Sequence, residues 1–375
     1  MKIILTGGGS GGHFYPIIAI AEEINTVVKE NHLIKPQMYY LSTDPYNEGL
    51  LFDLGVEFRK VTAGKIRRYF SLMNVVDLFK IIWGSLHAVI TVFRIYPDVV
   101  FGKGGFASFP ALFAARILRI PVVIHESDSV PGMVNKWAGK FAVRIAVSYP
   151  EAAQHFPAGK VAFTGNPVRK EVMDPLSNGA YEYLGLEEGV KTVLVRGGSQ
   201  GAQMINDVIM DALPKLVESY NVIHQTGKAN IGVMKETSEI VLHNNVHKNR
   251  YRPFDYLDLL QQRMTAGAAD IIVSRAGSTI FEIASWGKPS IIIPITNSNG
   301  NHQRLNAYAY ARTGAAIVIE EKNINEHILV SEINRILNSP NDQEKMKASA
   351  LAFARRDSAK LIAKEILSIS LSHEQ

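Results

Sequence analysis

The chain has 375 residues, 47% of them hydrophobic and 20% charged, a globular balance long enough for two domains. Its formal net charge of +5 fits anionic partners: nucleic acid, an acidic membrane surface or phosphorylated substrates. Cysteine is absent, which excludes disulfides and thiolate metal sites, and the apolar run at residues 1–5 is too short for a signal peptide.

Predicted strands and helices alternate throughout, the mark of parallel sheets built from βαβ units. The first strand, residues 2–6, runs into Thr6-Gly7-Gly8-Gly9-Ser10-Gly11-Gly12-His13 and a helix. Such a small-residue turn presents backbone N–H groups at the positive end of a helix dipole, where phosphates bind. Gly7, Gly9 and Gly12 also match the dinucleotide fingerprint, but the acidic residue it needs about 20 positions on is missing, Asp44 coming too late. His13 stands at the mouth of the turn, as a general base or as a structural, helix-capping group. A strand at 37–42 follows. Residues 74–94 then read as an unusual helix, preceded by Lys65, Arg67 and Arg68. Asp77, Lys80, Gly84, His87, Thr91 and Arg94 recur at spacings of 3 and 4, a narrow polar stripe on an otherwise apolar surface. Asp77, Lys80 and His87 at membrane depth argue against a transmembrane span. Two readings remain: a helix wedged in the domain core, or one partly inserted in a membrane interface with basic residues at the headgroups.

Strand 98–101 leads into Gly102-Lys103-Gly104-Gly105-Phe106, where Lys103 is either an anion ligand or simply solvated. Strand 121–125 leads into His125-Glu126-Ser127-Asp128-Ser129-Val130-Pro131-Gly132. Ionisable groups at the carboxyl end of a strand belong to the ligand face of an open α/β sheet, although His125 and Glu126 also read as structural hydrogen-bond partners. Strands 144–148 and 160–164 finish the first half. Gly165-Asn166-Pro167 and the polar stretch 174–189 mark the boundary. Strands of the second half fall at 192–196, 221–225, 271–274, 290–294 and 316–319. Gly197-Gly198-Ser199-Gln200-Gly201 matches the hydrolase nucleophile elbow, but no downstream acid and histidine have a supporting spacing. A phosphate-contacting turn accounts for the same residues. Ser274-Arg275-Ala276-Gly277-Ser278-Thr279-Ile280-Phe281-Glu282 repeats the strand–turn–helix plan of the N-terminus. No P-loop, D-x-D pair or H-E-x-x-H occurs, so no metal site is expected. No aromatic–basic stripe supports nucleic-acid binding. A helix over about 341–371 closes the chain. The expected class is α/β: two Rossmann-like parallel-sheet domains, residues 1–165 and 167–345, separated by a cleft for a phosphorylated substrate, with the tail 346–375 returning to the first.

Together, seven blocks resemble the MurG family, the bacterial transferases that move N-acetylglucosamine from UDP-GlcNAc to lipid I and complete lipid II at the cytoplasmic membrane face. The blocks are TGGGSGGHFYP (6–16), FGKGGFASFPALFAA (101–115), PVVIHESDSVPGMVNKW (121–137), TGNPVR (164–169), RGGSQGA (196–202), SRAGSTIFEIASWGKPSIIIP (274–294) and NHQRLNA (301–307). The resemblance implies the GT-B fold, with a first domain facing acceptor and membrane and a second binding the UDP-sugar. It implies no cofactor, and a peripheral enzyme on an anionic membrane surface. By motif, Ser10, Gly11 and Gly12 would sit near the donor diphosphate and the reacting centre, and Arg169 would pair with the diphosphate. Ser199 would bond the phosphate or sugar, and the backbone of Phe254 would meet the uracil. Glu282 would accept the two ribose hydroxyls, a task suited to a carboxylate's two acceptor oxygens. Gln303, with Asn306 nearby, would read the sugar hydroxyls. One departure stands out. The family commonly has His-Glu-Gln-Asn where this chain has His125-Glu126-Ser127-Asp128. Ionised Asp128 is acceptor-only, and its charge would oppose a nearby diphosphate.

The implied reaction is inverting glycosyl transfer to the C4 hydroxyl of the acceptor's MurNAc. His13 is the expected base, an imidazole whose ordinary pKa suits neutral pH. Arg169, Ser199 and the helix N-termini would stabilise the departing diphosphate, and closure about residues 165–169 would exclude water. A diacylglycerol-type glycolipid transferase using a UDP-hexose would share these features. So would a non-catalytic nucleotide-sugar scaffold of the cell-wall machinery.

Overall fold

The computed structural model describes residues 1–64, 73–198, 201–296 and 301–373. They divide into two compact units, residues 1–169 with 355–375, and residues 170–354. The first unit holds β1 (Lys2–Thr6), β2 (Gln37–Ser42), β3 (Val56–Lys60), β4 (Val99–Gly102), β5 (Val122–Glu126), β6 (Arg144–Val147) and β7 (Val161–Phe163). They form one parallel sheet in the order β3-β2-β1-β4-β5-β6-β7. The second unit holds β8 (Thr192–Arg196), β9 (Asn221–Gln225), β10 (Tyr251–Phe254), β11 (Ile271–Ser274), β12 (Ser290–Ile292) and β13 (Ala316–Val318). Its parallel order is β10-β9-β8-β11-β12-β13.

Helices cover both faces of each sheet, which is why the central strands are near-continuous apolar runs. Along β4, Val99 and Phe101 pack into the core made with the helix Gly11–Glu30, while Val100 packs on the other face with Ala111 and Leu112. Strand order reverses between β1 and β4 in the first unit and between β8 and β11 in the second. At such a switch point the connections leave in opposite directions and open a ligand crevice at the strands' carboxyl ends. The glycine turns singled out in the sequence follow these four strands.

Two strands lie outside the expected set, β3 and β10, and both are sheet edges. Their sequences, VEFRK and YRPF, carry charges and a proline that a central strand would not tolerate. The closing stretch is two helices rather than one, Pro340–Phe353 and Ser358–His373. Neither glycine nor proline marks the break. Instead Arg355 turns its guanidinium over Phe163, 4.5 Å from the ring centroid, and fills the space beside Gly165. Ser358 then donates its hydroxyl to the Gly165 carbonyl at 2.9 Å. The second helix lays Ala359, Ile362, Ala363, Ile366 and Leu367 into the core of the first unit.

The helix Met73–Ile95 is not wedged in the core. Its inward face is Asp77, Gly84, Ser85, Ala88, Val92 and Ile95, packed on the helix Phe109–Leu118. Gly84 is needed there, because a Cβ would overlap the Thr62 carbonyl. The large apolar side chains point outward: Leu78, Phe79, Ile82, Trp83, Leu86, Ile90 and Phe93 are all exposed, Trp83 by 71%. Length and composition alone would let Asp77–Ile95 cross a bilayer, but its inward face belongs to the domain.

Candidate active site

In the first unit, β1 ends in the glycine turn and Ser10 stands at the N-cap of the helix Gly11–Glu30. Its hydroxyl does not cap the helix but bonds His13 Nδ1 at 2.9 Å. The Gly11 and Gly12 amides precede the first bonds to the Ser10 carbonyl, from His13 N and Phe14 N at 3.1 Å, and take no side-chain cap from Ser10, the arrangement that binds anions. Across from the turn, Gly105 follows β4 with φ 79° and ψ 162°, a conformation essentially restricted to glycine. A Cβ on Gly105 would stand 3.5 Å from both Cε1 and Nε2 of His13, so this glycine keeps one edge of the imidazole uncovered.

Behind the turn lies a buried set of ionisable groups. Lys103 Nζ donates to Ser127 Oγ and, at 3.3 Å, to Asn166 Oδ1. Glu126 accepts from the backbone N–H groups of Asp128 (3.0 Å) and Gly132 (3.1 Å) and from the Asn135 amide (2.9 Å). Burial, reinforced by the Asp128 charge, holds the Glu126 carboxyl above its ordinary pKa. His125 Nε2 bonds the Gly165 carbonyl at 2.9 Å, and burial with the Lys103 charge keeps the imidazole neutral, its pKa well below the ordinary value. Lys103, His125 and Glu126 are thus enclosed. Asp128 is half-buried in the loop after β5. Arg169 is paired with Glu22 of the helix Gly11–Glu30 at 2.9 Å.

In the second unit, Glu282 stands in the first turn of the helix Thr279–Trp286, after β11. Arg196, the last residue of β8, donates Nη1 to Glu282 Oε2 at 2.7 Å and lies 5.3 Å over the Trp286 ring. The Oε1 oxygen takes no donor among the described residues, and the side chain keeps 22% exposure. The Phe254 carbonyl ends β10 and accepts from Thr226 N (2.9 Å) and Oγ1 (3.2 Å). A neutral relay backs that segment: Tyr251 hydroxyl to His224 Nδ1 (3.0 Å), His224 Nε2 to Asn206 Oδ1 (3.0 Å), and Asn206 Nδ2 to the Thr226 carbonyl (3.1 Å). Gln303 Oε1 accepts from Ile295 N at 3.2 Å. Asn306 is buried and donates to the Ala276 carbonyl at 3.3 Å, bracing the turn before Glu282 from beneath.

Ser10, Gly11, Gly12 and His13 therefore share one turn, and Glu282, Gln303 and Asn306 gather around another, with Phe254 at the end of the edge strand β10 of that sheet. Ser199, like Lys65, Arg67 and Arg68, lies outside the described residues. Sequence reasoning passed over Arg196 and Glu22. Arg196 had a legible signal: a charged residue closing the apolar run TVLVR must meet a carboxylate if it is buried.

The N-terminal domain model of glycosyltransferase family 28 matches residues 3–147, and the family's C-terminal domain model matches residues 192–365. A UDP-N-acetylglucosamine–N-acetylmuramyl-(pentapeptide) pyrophosphoryl-undecaprenol N-acetylglucosamine transferase of Bacillus cereus is 34% identical over 367 residues, covering 97% of this chain and 99% of the relative. The transferase of the same description from Clostridium botulinum is 32% identical over 347 residues, 91% of this chain and 92% of its own. Among solved structures, Acinetobacter baumannii MurG superposes with a TM-score of 0.72 at 24% identity, over 98% of this chain and 99% of that one. A UDP-GlcNAc 2-epimerase from Neisseria meningitidis, bound to UDP-GlcNAc, shares the fold at a TM-score of 0.70 and 14% identity, over 98% and 100% of the two chains.

Proposed function

Since the chain belongs to the MurG family of N-acetylglucosaminyltransferases, within glycosyltransferase family 28, we propose that it moves GlcNAc from UDP-GlcNAc to the C4 hydroxyl of MurNAc in lipid I, giving lipid II for peptidoglycan synthesis. The observation that carries this is 34% identity to such a transferase along 97% of the chain. The transfer inverts the anomeric centre: the acceptor oxygen attacks opposite the diphosphate, a base removes its proton, and UDP departs.

His13 is the base in this reading. Ser10 Oγ and His13 Nδ1 are 2.9 Å apart; the role requires the tautomer in which Nδ1–H donates to Ser10 Oγ and Nε2 carries the lone pair that takes the acceptor proton. The opposite tautomer, with Ser10 donating, would put the proton on Nε2 and block that role. Ser10, Gly11 and Gly12 offer the helix N-terminus to the diphosphate, with Arg169 and Ser199 adding charge and a hydroxyl. Arg169 keeps its orientation through Glu22. Glu282, steadied by Arg196 on one oxygen, presents the other to the ribose hydroxyls. The backbone at Phe254 meets the uracil. Gln303 reads the sugar hydroxyls, and Asn306 holds the turn they share. Asp128 stands at the sugar's side of the first unit.

The first unit is the acceptor- and membrane-facing half, the second the UDP-sugar half. The exposed row Leu78, Phe79, Ile82, Trp83, Leu86, Ile90 and Phe93 fits a helix lying in the interface of an anionic membrane, on its cytoplasmic face. Serine at both Phe79 and Trp83 is expected to cut binding to anionic vesicles; unchanged co-sedimentation would remove this helix from the membrane contact.

The decisive experiment follows UDP release by the purified protein with UDP-GlcNAc, with and without lipid I or a short-chain analogue, and no added divalent metal. Acceptor-dependent release with a disaccharide product is expected. UDP binding without that release would point to another acceptor or to a binding protein.

A further inference from the structure

Lys103 is 1% exposed, set among Gly102, Gly104 and Gly105 at the end of β4, with its backbone N–H bonded to the Thr6 carbonyl at 2.8 Å. Its Cβ would touch any side chain placed on Gly7, so this lysine packs directly behind the reacting turn. The ammonium's two acceptors, Ser127 Oγ and Asn166 Oδ1, are neutral. An enclosed cation with neutral partners alone would be strongly unfavourable. The compensating charge comes from Glu126 and Asp128, which both act on Lys103 electrostatically. The loop that carries Asp128 is wrapped around the Glu126 carboxylate, through the Asp128 and Gly132 amides and Asn135. Lys103, with His13 from the helix Gly11–Glu30, in turn acts on the neutral His125 imidazole of β5 and lowers its pKa further. Burial holds the ammonium below the ordinary lysine range, while Glu126 and Asp128 draw it back up.

We propose that Lys103 is a positioning residue for the transfer: its buried ammonium offsets the Asp128 charge, so that the glycine turn beside it can hold a diphosphate. This rests on the reading that the turn binds the diphosphate of a substrate. Without the cation, the half-buried Asp128 and the enclosed Glu126 would lie beside the turn with no opposite charge, and their field would repel that ligand.

The test is a double-mutant cycle on the full chain, Lys103→Gln, Asp128→Asn and the pair, read as kcat/KM for UDP-GlcNAc with a lipid I analogue, and as its pH profile. Glutamine removes the charge and keeps N–H donors on a side chain one methylene shorter, and the Asp128→Asn background separates the loss of charge from the loss of reach. Lys103→Gln is expected to lower kcat/KM roughly tenfold or more. Adding Asp128→Asn is expected to recover most of that loss, because the two residues are coupled neighbours. Wild-type activity is expected to fall on the alkaline side as the ammonium loses its proton, and Asp128→Asn to weaken that fall. Wild-type activity in Lys103→Gln, or losses that multiply in the pair, would overturn the proposal. Should the glutamine variant not fold, the profiles of wild type and Asp128→Asn decide, and an unchanged alkaline fall in the latter overturns it. A wild-type protein with no acceptor-dependent UDP release would overturn the transferase reading instead.

Discussion

The two units place one backbone device, a strand–turn–helix at the sheet's switch point, in different electrostatic surroundings. Behind the β1 and β4 turns of the first unit lie Lys103, His125 and Glu126, all buried, with shifted protonation equilibria. Around the β8 and β11 turns of the second unit the described residues hold two ion pairs, Arg196–Glu282 and Arg275–Glu321, and a neutral relay through Tyr251, His224, Asn206 and Thr226. The first arrangement suits a reacting centre, where protons move and charge changes during turnover. The second suits recognition, where donors and acceptors should stay in one protonation state. On the proposed function, the same fold separates chemistry from reading.

The comparison breaks first at His13. His13→Ala is expected to lower kcat by about 10²- to 10⁴-fold, the usual worth of a general base, with UDP-GlcNAc affinity by calorimetry unchanged. Retained turnover would move the base elsewhere. Glu282→Gln should behave oppositely. Hydrogen bonds to a charged group contribute about 1.5–3 kcal/mol, so KM for UDP-GlcNAc should rise roughly 10- to 100-fold with kcat little changed. A fall in kcat alone would mean that the second unit also takes part in the chemistry.

Much of this was legible in the residues. Buried parallel strands are apolar without interruption, so KIILT, TVLVR and IIVS declare themselves, and the glycine turns after them mark the switch points. The edge strands β3 and β10 were not legible, because an edge relaxes the pattern that identifies a strand. Nor was the break at Arg355, which depends on Phe163 and Gly165, residues far away in sequence. Side-chain partners were the least legible. Arg169 could be placed beside the link, but only the fold brings it to Glu22. Asn306 read as a ligand contact, and only the fold shows that its amide also bonds the Ala276 carbonyl.

Buried histidines allow the comparison to be sharpened by pH. His224 is enclosed, and burial lowers its pKa to about 3. Its folded value lies below its unfolded one, so its contribution to stability is present above the unfolded pKa and is lost as pH falls toward the folded value. Between pH 7 and pH 5 the loss is about 2 kcal/mol for such a group at a reference pKa of about 6.5. His125 shifts in the same direction. Each unit should therefore lose stability on acidification in this range, and His224→Phe should blunt the loss for the second unit by calorimetry, apart from any constant cost of the lost hydrogen bonds. An equal acid sensitivity in the variant would mean that His224 is not the group responsible.

The smallest expected effect separates two glycines that occupy corresponding turns. Gly105 has a positive φ, and a Cβ there would press on the Gly8 carbonyl at 3.0 Å and come into ordinary contact with the His13 ring at 3.5 Å. Gly105→Ala should therefore lower stability by about 1–3 kcal/mol, the strain of a glycine-only conformation, and also hinder His13. Gly277 has no positive φ, and nothing stands within 4 Å of where its Cβ would be. Gly277→Ala should leave the melting temperature nearly unchanged, because no protein atom opposes the methyl group. Any rise it causes in KM for UDP-GlcNAc would then come from the ligand's approach to the backbone rather than from the fold. If Gly277→Ala leaves KM as it was, the diphosphate does not approach this turn, and reading in the second unit rests on Glu282 and the neutral relay without it.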